Sequence, residues 1–345
     1  MSDESTSGRG ETAAATHDEP PAVRGAARRR AGFGLALDVI ERYGPLIFLI
    51  GIVVFFSIKK PDSFPTKDNL LLVLSTGSLL GIVAAGLTMC LVVNEFDLSI
   101  GFVFALGGVM ATHWMASVGI AGSLLLALAT GLVIGLVNGS IVAYMRVSAF
   151  IGTLGTGAIV QGIVQWITGG SAAAGFPGGF TSIAGGEAAG IPNEVLIMFG
   201  VMVLLWFVLG RTETGRRIDA IGGNKEAARL AGIRISRTTL LVFAISGMCA
   251  AFAGVLAASD LDSAYANAGD TYLLDSFTAC FIGAAVFKPG EFSVQGTLVG
   301  VLIIATTFNG LAQVGVAAYW QFIIKGLILV FAVAASGLLS RRRIA

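Results

Sequence analysis

Long, nearly uncharged apolar runs, separated by short polar or glycine-rich stretches, fill the chain from residue 44 onward. They fall at 44–58, 69–93, 98–117, 122–145, 149–168, 193–210, 239–259, 274–287, 294–315 and 319–339. A helix needs about 20 apolar residues to cross the hydrocarbon core of a bilayer, so eight of these runs qualify as they stand. Those at 44–58 and 274–287 are short and read as tilted, extended or re-entrant pieces. The pattern predicts an all-α polytopic membrane protein of about ten transmembrane or re-entrant helices occupying residues 36–345. Residues 1–35 are rich in Ala, Gly, Ser and charge, carry too little apolar bulk to bury a core, and read as a disordered cytoplasmic tail.

Charge sharpens this picture. Only 12% of the 345 residues are charged, about half the density of soluble domains. Thirteen of these charges lie in residues 1–43 and ten in 211–238. Cytoplasmic loops collect Lys and Arg. Ten spans from a cytoplasmic start place Arg28, Arg29, Arg30, Arg146, the 211–238 loop, Lys288 and Arg341, Arg342 and Arg343 inside, with both termini cytoplasmic. The opposite loops 169–192 and 260–273 hold no Lys or Arg, and Lys59, Lys60 and Lys67 are the exception. Spans two to five then run opposite to spans seven to ten, which suggests an inverted repeat of two four-helix groups. A net charge of +1 argues against nucleic acid as a partner. Cys90, Cys249 and Cys280 sit in apolar runs and read as small buried hydrophobes.

The 211–238 loop carries the strongest local signal. Asn224 is a suitable N-cap, Lys225 to Ala231 are good helix formers, and Gly232 suits the left-handed residue after a helix end. The expectation is a rigid two-turn helix between a Gly222-Gly223 hinge and a Gly232 stop. It reads either as an ordinary basic loop or as a docking element for a soluble partner. Gly131, Gly135 and Gly139, and later Gly296 and Gly300, recur every four residues and predict close helix packing.

At this loop, Gly-Arg-Arg-Ile-Asp-Ala-Ile-Gly-Gly-Asn-Lys-Glu-Ala-Ala-Arg-Leu-Ala-Gly-Ile (215–233) resembles the loop between the central membrane segments of permease subunits of ribose-type ABC sugar importers. Phe96-Asp97-Leu98-Ser99-Ile100-Gly101 is similar to that family's Ile-Asp-Leu-Ser-Val-Gly, and Phe150-Ile151-Gly152-Thr153-Leu154-Gly155-Thr156 to its Phe-Ile-x-Thr-Leu-Gly-Thr. Gly296 to Gly300, and Trp320-Gln321 followed by Lys325-Gly326, match as well. The resemblance runs from about residue 65 to 339. It implies a multi-pass permease of a bacterial cytoplasmic membrane, surrounded by lipid, that moves a monosaccharide or similar polyhydroxy solute by alternating access. Its implied partners are an ATP-binding cassette subunit, a second permease copy (identical or different) and an extracytoplasmic sugar-binding protein. Gly222, Gly223, Asn224, Glu226, Ala227, Ala228, Arg229 and Gly232 would form the coupling element seated in the ATPase. The chain has no Gly-x-x-x-x-Gly-Lys-[Ser/Thr], so no cofactor is expected in it, and ATP and Mg would be bound by the partner ATPase.

The chain departs from the resembled pattern in three places. Asn94 and Glu95 stand where a Gly-Gly pair is usual, Ser148-Ala149 replace a proline-containing pair, and 287–292 is not Gly- and Ser-rich. The expected pathway residues are polar groups inside apolar runs, which are costly in lipid. Asp97 and Ser99 lie at a break and read either as a helix cap or as a gate, while Glu95 reads as an interfacial acid. Gln161 and Gln165 share one helix face, as do Asn309 and Gln313. Their amides suit sugar hydroxyls and equally suit interhelical glue. Asn138 reads as packing glue, Trp166 as an interfacial anchor, and Lys325 as a side chain that snorkels outward. The loop 169–192 would either meet a binding protein or serve as a linker. An enzyme would need a nucleophile–base pair or metal cluster, yet the only histidines are His17 and His113. An ion-gradient-driven secondary transporter of a small polar solute is the alternative, and such a transporter has no ATPase to dock.

Overall fold

The computed structural model describes residues 43–287 and 290–342. The expected tail at 1–35, together with Lys288 and Arg343, lies outside the described residues. The chain forms α1 (Tyr43–Lys59), α2 (Lys67–Val92), α3 (Ile100–His113), α4 (Met115–Ala143), α5 (Ala149–Thr168), α6 (Gly178–Gly185), α7 (Asn193–Arg211), α8 (Glu213–Gly223), α9 (Lys225–Leu230), α10 (Ile235–Asp260), α11 (Asp270–Gly283), α12 (Val294–Gln313) and α13 (Ala318–Arg342). Four two-residue strands lie in the loops: β1 (Ala173–Ala174), β2 (Glu187–Ala188), β3 (Ile191–Pro192) and β4 (Ser263–Ala264). This is an all-α polytopic membrane protein. Among the described residues six helices, α2, α4, α5, α7, α10 and α12, are long and apolar enough to cross a membrane.

The run at 98–117 corrects the sequence reading, because it does not form one full span. Its helix starts at Ile100 and stops at His113, and 14 residues reach only about 21 Å. α11 has the same length, Asp270–Gly283, and begins before its apolar run and ends inside it. Each short helix follows a non-helical stretch, 93–99 before α3 and 261–269 before α11. Their first turns meet: Phe104 stacks on Tyr272 with centroids 4.3 Å apart, and a Cβ on Gly101 would stand 2.8 Å from Gly269 O.

α2 and α10, each 26 residues, form the centre. α10 packs on α3 and α4, and α2 packs on α11 and α12. α3 packs on α4 and α5, and α11 on α12 and α13. Lipid offers no hydrophobic force between helices, so close packing must hold them. The expected glycine ladder supplies that closeness. A Cβ on Gly131 would stand 2.5 Å from Gly247 O, and one on Gly300 would stand 2.0 Å from Ala279 O. α1 packs against α12 and its neighbours with Leu46, Leu49 and Ile52, at helical spacing.

The loops sort by charge as the sequence suggests. β1 pairs antiparallel with β4, Ala173 opposite Ala264, so the two loops free of Lys and Arg meet. The loop 169–192 also contains α6 and a β2–β3 pair. It is a built element, which corrects the linker reading. Arg146, Lys225, Arg229, Arg234 and Arg237 instead share one cavity wall.

Candidate functional site

The 211–238 segment folds as two helices at an elbow. Thr212 Oγ1 accepts from Gly215 N at 3.1 Å and starts α8. Ile218 and Ile221 anchor α8 in the core. Gly222 and Gly223 are the last residues of α8, directly before the elbow at Asn224. A Cβ on Gly222 would stand 2.0 Å from Val92 O, so only glycine lets α8 rest on the end of α2. Asn224 then caps α9, its Oδ1 accepting from Ala227 N at 2.9 Å. Gly232, at φ 81°, ends the elbow as expected.

α9 shows most of its surface. Ala228 is its one buried residue, while Ala227 is exposed and Leu230 is 77% exposed. The Arg229 guanidinium grips the Glu226 carboxylate and holds it below the usual carboxylate range.

The stretch 93–99 lies beneath the elbow. Irregular backbone packed among apolar helices needs partners for its N–H groups, and here it has them. Glu95 N donates to Cys90 O at 3.0 Å, Leu98 N to Thr153 Oγ1 of α5 at 2.9 Å, and Ser99 N to Asp97 Oδ1 at 3.0 Å. Asp97 is fully buried. Its Oδ1 also accepts from Ser99 Oγ at 2.6 Å, and its Oδ2 from Ser246 Oγ of α10 at 2.8 Å. Asn138 of α4 donates to Ser99 Oγ at 2.8 Å. Asp97 and Ser99 thus bolt the start of α3 to α4 and α10.

Two residues that the sequence marked as departures from the resembled pattern close the site. Glu95, read as an interfacial acid, pairs with Lys225 at 3.0 Å. Asn94 Nδ2 donates to Gly222 O at 3.0 Å. An open cavity of about 1500 Å³ opens beside them, lined by Glu95, Phe96, Arg146, Phe150, Lys225 and Phe277 among others.

The remaining amides do not converge. Gln161 Nε2 donates to Asn267 Oδ1 at 3.1 Å, in the stretch before α11, and Gln165 is exposed on α5. Gln313 lies with another group: its Nε2 donates to Asn309 Oδ1 at 3.1 Å and to Asn69 Oδ1 at 2.6 Å. Its Oε1 accepts from Ser63 Oγ at 2.8 Å, which ties the end of α12 to the α1–α2 corner. Lys325 does not snorkel outward but pairs with Asp275 at 2.6 Å. Opposite charges inside two apolar runs were the available signal for that pair. Among the described residues no three His, Cys, Asp or Glu side chains converge on a metal-sized site.

Comparison with known proteins adds the family context. Residues 69–333 match the family model described as branched-chain amino acid transport system / permease component. The chain is 36% identical over 321 residues to the galactose/methyl galactoside import permease protein MglC of Escherichia coli, covering 87% of this chain and 94% of that protein. It is 37% identical over 320 residues to the ribose import permease protein RbsC of Haemophilus influenzae, covering 91% and 98%. Against the ribose import permease protein RbsC of Bacillus subtilis it is 34% identical over 298 residues, covering 86% and 92%. No solved structure matches the chain.

Proposed function

The chain belongs to the branched-chain amino acid transport system / permease component family, a transport subunit and not an enzyme, and from that premise we propose that it is the membrane subunit of an ATP-driven importer of a monosaccharide or similar polyhydroxy solute. The observation that carries the reading is α9, a capped helix seated by buried Ala228 and the Lys225–Glu95 ion pair and otherwise presented outward with Leu230 at its tip. That form suits a groove on a separate ATP-binding subunit, which would hold ATP and Mg. The relatives named for ribose and galactose import, at 34–37% identity over most of the chain, support a sugar as the solute.

Alternating access without covalent chemistry follows from this placement. Closure of the ATPase pair pushes α9 and rocks the packed helices, so a pathway opens first to one side and then to the other. The paired helix contacts, with α3 on α10 as α11 on α2 and α4 on α10 as α12 on α2, support an inverted repeat in which the two groups move against each other. α5 turns Gly155, Gly162 and Gln165 outward beside the exposed Ile151, Ile159 and Trp166, a mixed face that we assign to a second permease copy and the solute path. The cationic face with α9 is then cytoplasmic, and the loops joined by β1 and β4 face an extracytoplasmic sugar-binding protein.

ATP-dependent uptake in vesicles tests this, with the chain co-expressed with its ATP-binding and sugar-binding partners and offered pentoses, hexoses and polyols. Uptake of one sugar that requires ATP and both partners is expected. A flexible Gly-Ser insertion between Gly223 and Asn224 should abolish it while membrane insertion persists. Uptake by the chain alone, driven by an ion gradient, would replace this reading with a secondary transporter.

A further inference from the structure

Two polar ties join the α8–α9 elbow to the 93–99 stretch, and both are made by Asn94 and Glu95. Lys225 on α9 reaches down to Glu95 at 3.0 Å, and Asn94 reaches up to the Gly222 carbonyl at 3.0 Å. The two ends of the ion pair differ: the Lys225 side chain is 57% exposed and Glu95 only 15%. Glu95 is the buried end of the pair, and Lys225 is the exposed end carried by the elbow. Asn94 stands at φ 60°, a left-handed conformation that asparagine tolerates better than most residues. Glycines at these two positions would supply neither the amide nor the carboxylate.

The next four residues hold four different helices. Phe96 stacks on Phe277 of α11 with centroids 6.1 Å apart. Asp97 holds Ser246 of α10, Leu98 N holds Thr153 of α5, and Ser99 holds Asn138 of α4. Glu95, Phe96 and Leu98 also line the open cavity together with Phe150 and Phe277. Lys225 is therefore joined to α4, α5, α10 and α11 by one ion pair to Glu95 and by the short backbone stretch 95–99 whose residues those helices hold. This is a contiguous route of the kind that passes displacement through a packed protein.

We propose that Asn94 and Glu95 are positioning residues that transmit the displacement of α9 through the 93–99 stretch to α5, α10 and α11, and so set the shape of the cavity. This rests on α9 being the ATPase seat. Lys225 and Gly222 are the driven ends, and Thr153, Ser246 and Phe277 are the receivers.

The test places one reporter on the cavity wall of the assembled complex. Cys90, Cys249 and Cys280 are buried, so a cysteine introduced as Phe150→Cys is the site that a water-soluble maleimide reaches. Its labelling rate is measured nucleotide-free and after trapping with ATP and vanadate. In the otherwise native complex a severalfold difference between the two states is expected. Glu95→Lys should erase that difference while the ATPase still co-purifies, and Glu95→Lys with Lys225→Glu should restore it. Glu95→Gln, which keeps the side-chain size, should reduce it. A full nucleotide-dependent change in Glu95→Lys or Glu95→Gln overturns the relay. Loss of the ATPase from Glu95→Lys overturns it too, because Glu95 would then belong to the seat itself. A native complex that binds no ATPase sinks the reading of α9, and the relay with it.

Discussion

Lys325 Nζ on α13 stands 2.6 Å from Asp275 Oδ2 on the short helix α11, and 4.7 Å from the centre of the Phe308 ring on α12. Both charges lie within apolar helices and are mostly covered, at 23% and 14% exposure. Charges at such depth persist only when paired. Removing one partner strands the other, at a cost of about 3 kcal/mol by analogy with broken buried pairs. Lys325→Met should therefore lower the melting temperature of the detergent-purified protein sharply. Lys325→Met with Asp275→Asn should recover most of the loss, because the stranded charge is gone. Equal losses in the single and double variants would mean that the pair contributes through packing and not through charge.

Gly247 and Gly131 test the centre of the bundle. A Cβ on Gly247 would stand 2.3 Å from Gly131 O, against backbone that cannot swing aside. Gly247→Ala should destabilise the protein by about 1–3 kcal/mol, the usual range for overpacking. Gly155→Ala on α5 meets nothing within 4 Å and should be neutral or slightly stabilising, since alanine favours a helix. Melting temperatures of the two variants side by side check this. A tolerated Gly247→Ala would show that α4 and α10 have room to separate.

The features legible in the sequence are those whose partners lie close along the chain. Asn224 caps a helix three residues away, and Gly232 ends it, so both were readable from local rules. The glycine ladder was readable because its spacing marks one helix face, whatever that face meets. The break at Asp97 was visible, but its extent was not, because Leu98 N and Asp97 find their partners 55 and 149 positions away at Thr153 and Ser246. Glu95 looked like an ordinary interfacial acid for the same reason: Lys225 lies 130 positions on. Gln313 shows the same limit from the other side. The sequence leaves its amide open between a sugar pathway and interhelical glue, and the fold has it hold Asn69 and Ser63 at a corner.

Asn224 decides whether α9 exists as a rigid body. A six-residue helix has little propagation to offset its nucleation cost, so its cap matters more than in a long span. Asn224→Ala removes the acceptor for Ala227 N and should cost about 1 kcal/mol of local stability. Sugar uptake should fall severalfold with normal membrane insertion, and Asn224→Asp, which also caps well, should retain most of it. Full uptake by Asn224→Ala would mean that the partner itself folds α9 on docking.

Gln161 and Gln165 separate solute contact from packing, because the fold treats them differently. Gln161 donates its Nε2 to Asn267 while its Oε1 is buried without a partner, whereas Gln165 is exposed on the outward face of α5. If that face lines the pathway, Gln165→Leu should raise the KM for uptake severalfold with no change in melting temperature. Gln161→Leu should lower the melting temperature by loosening α5 from the stretch before α11, and the double variant should show both effects. Unchanged uptake kinetics in Gln165→Leu would remove that residue from the pathway and leave α5 facing lipid or a second copy through apolar contact alone.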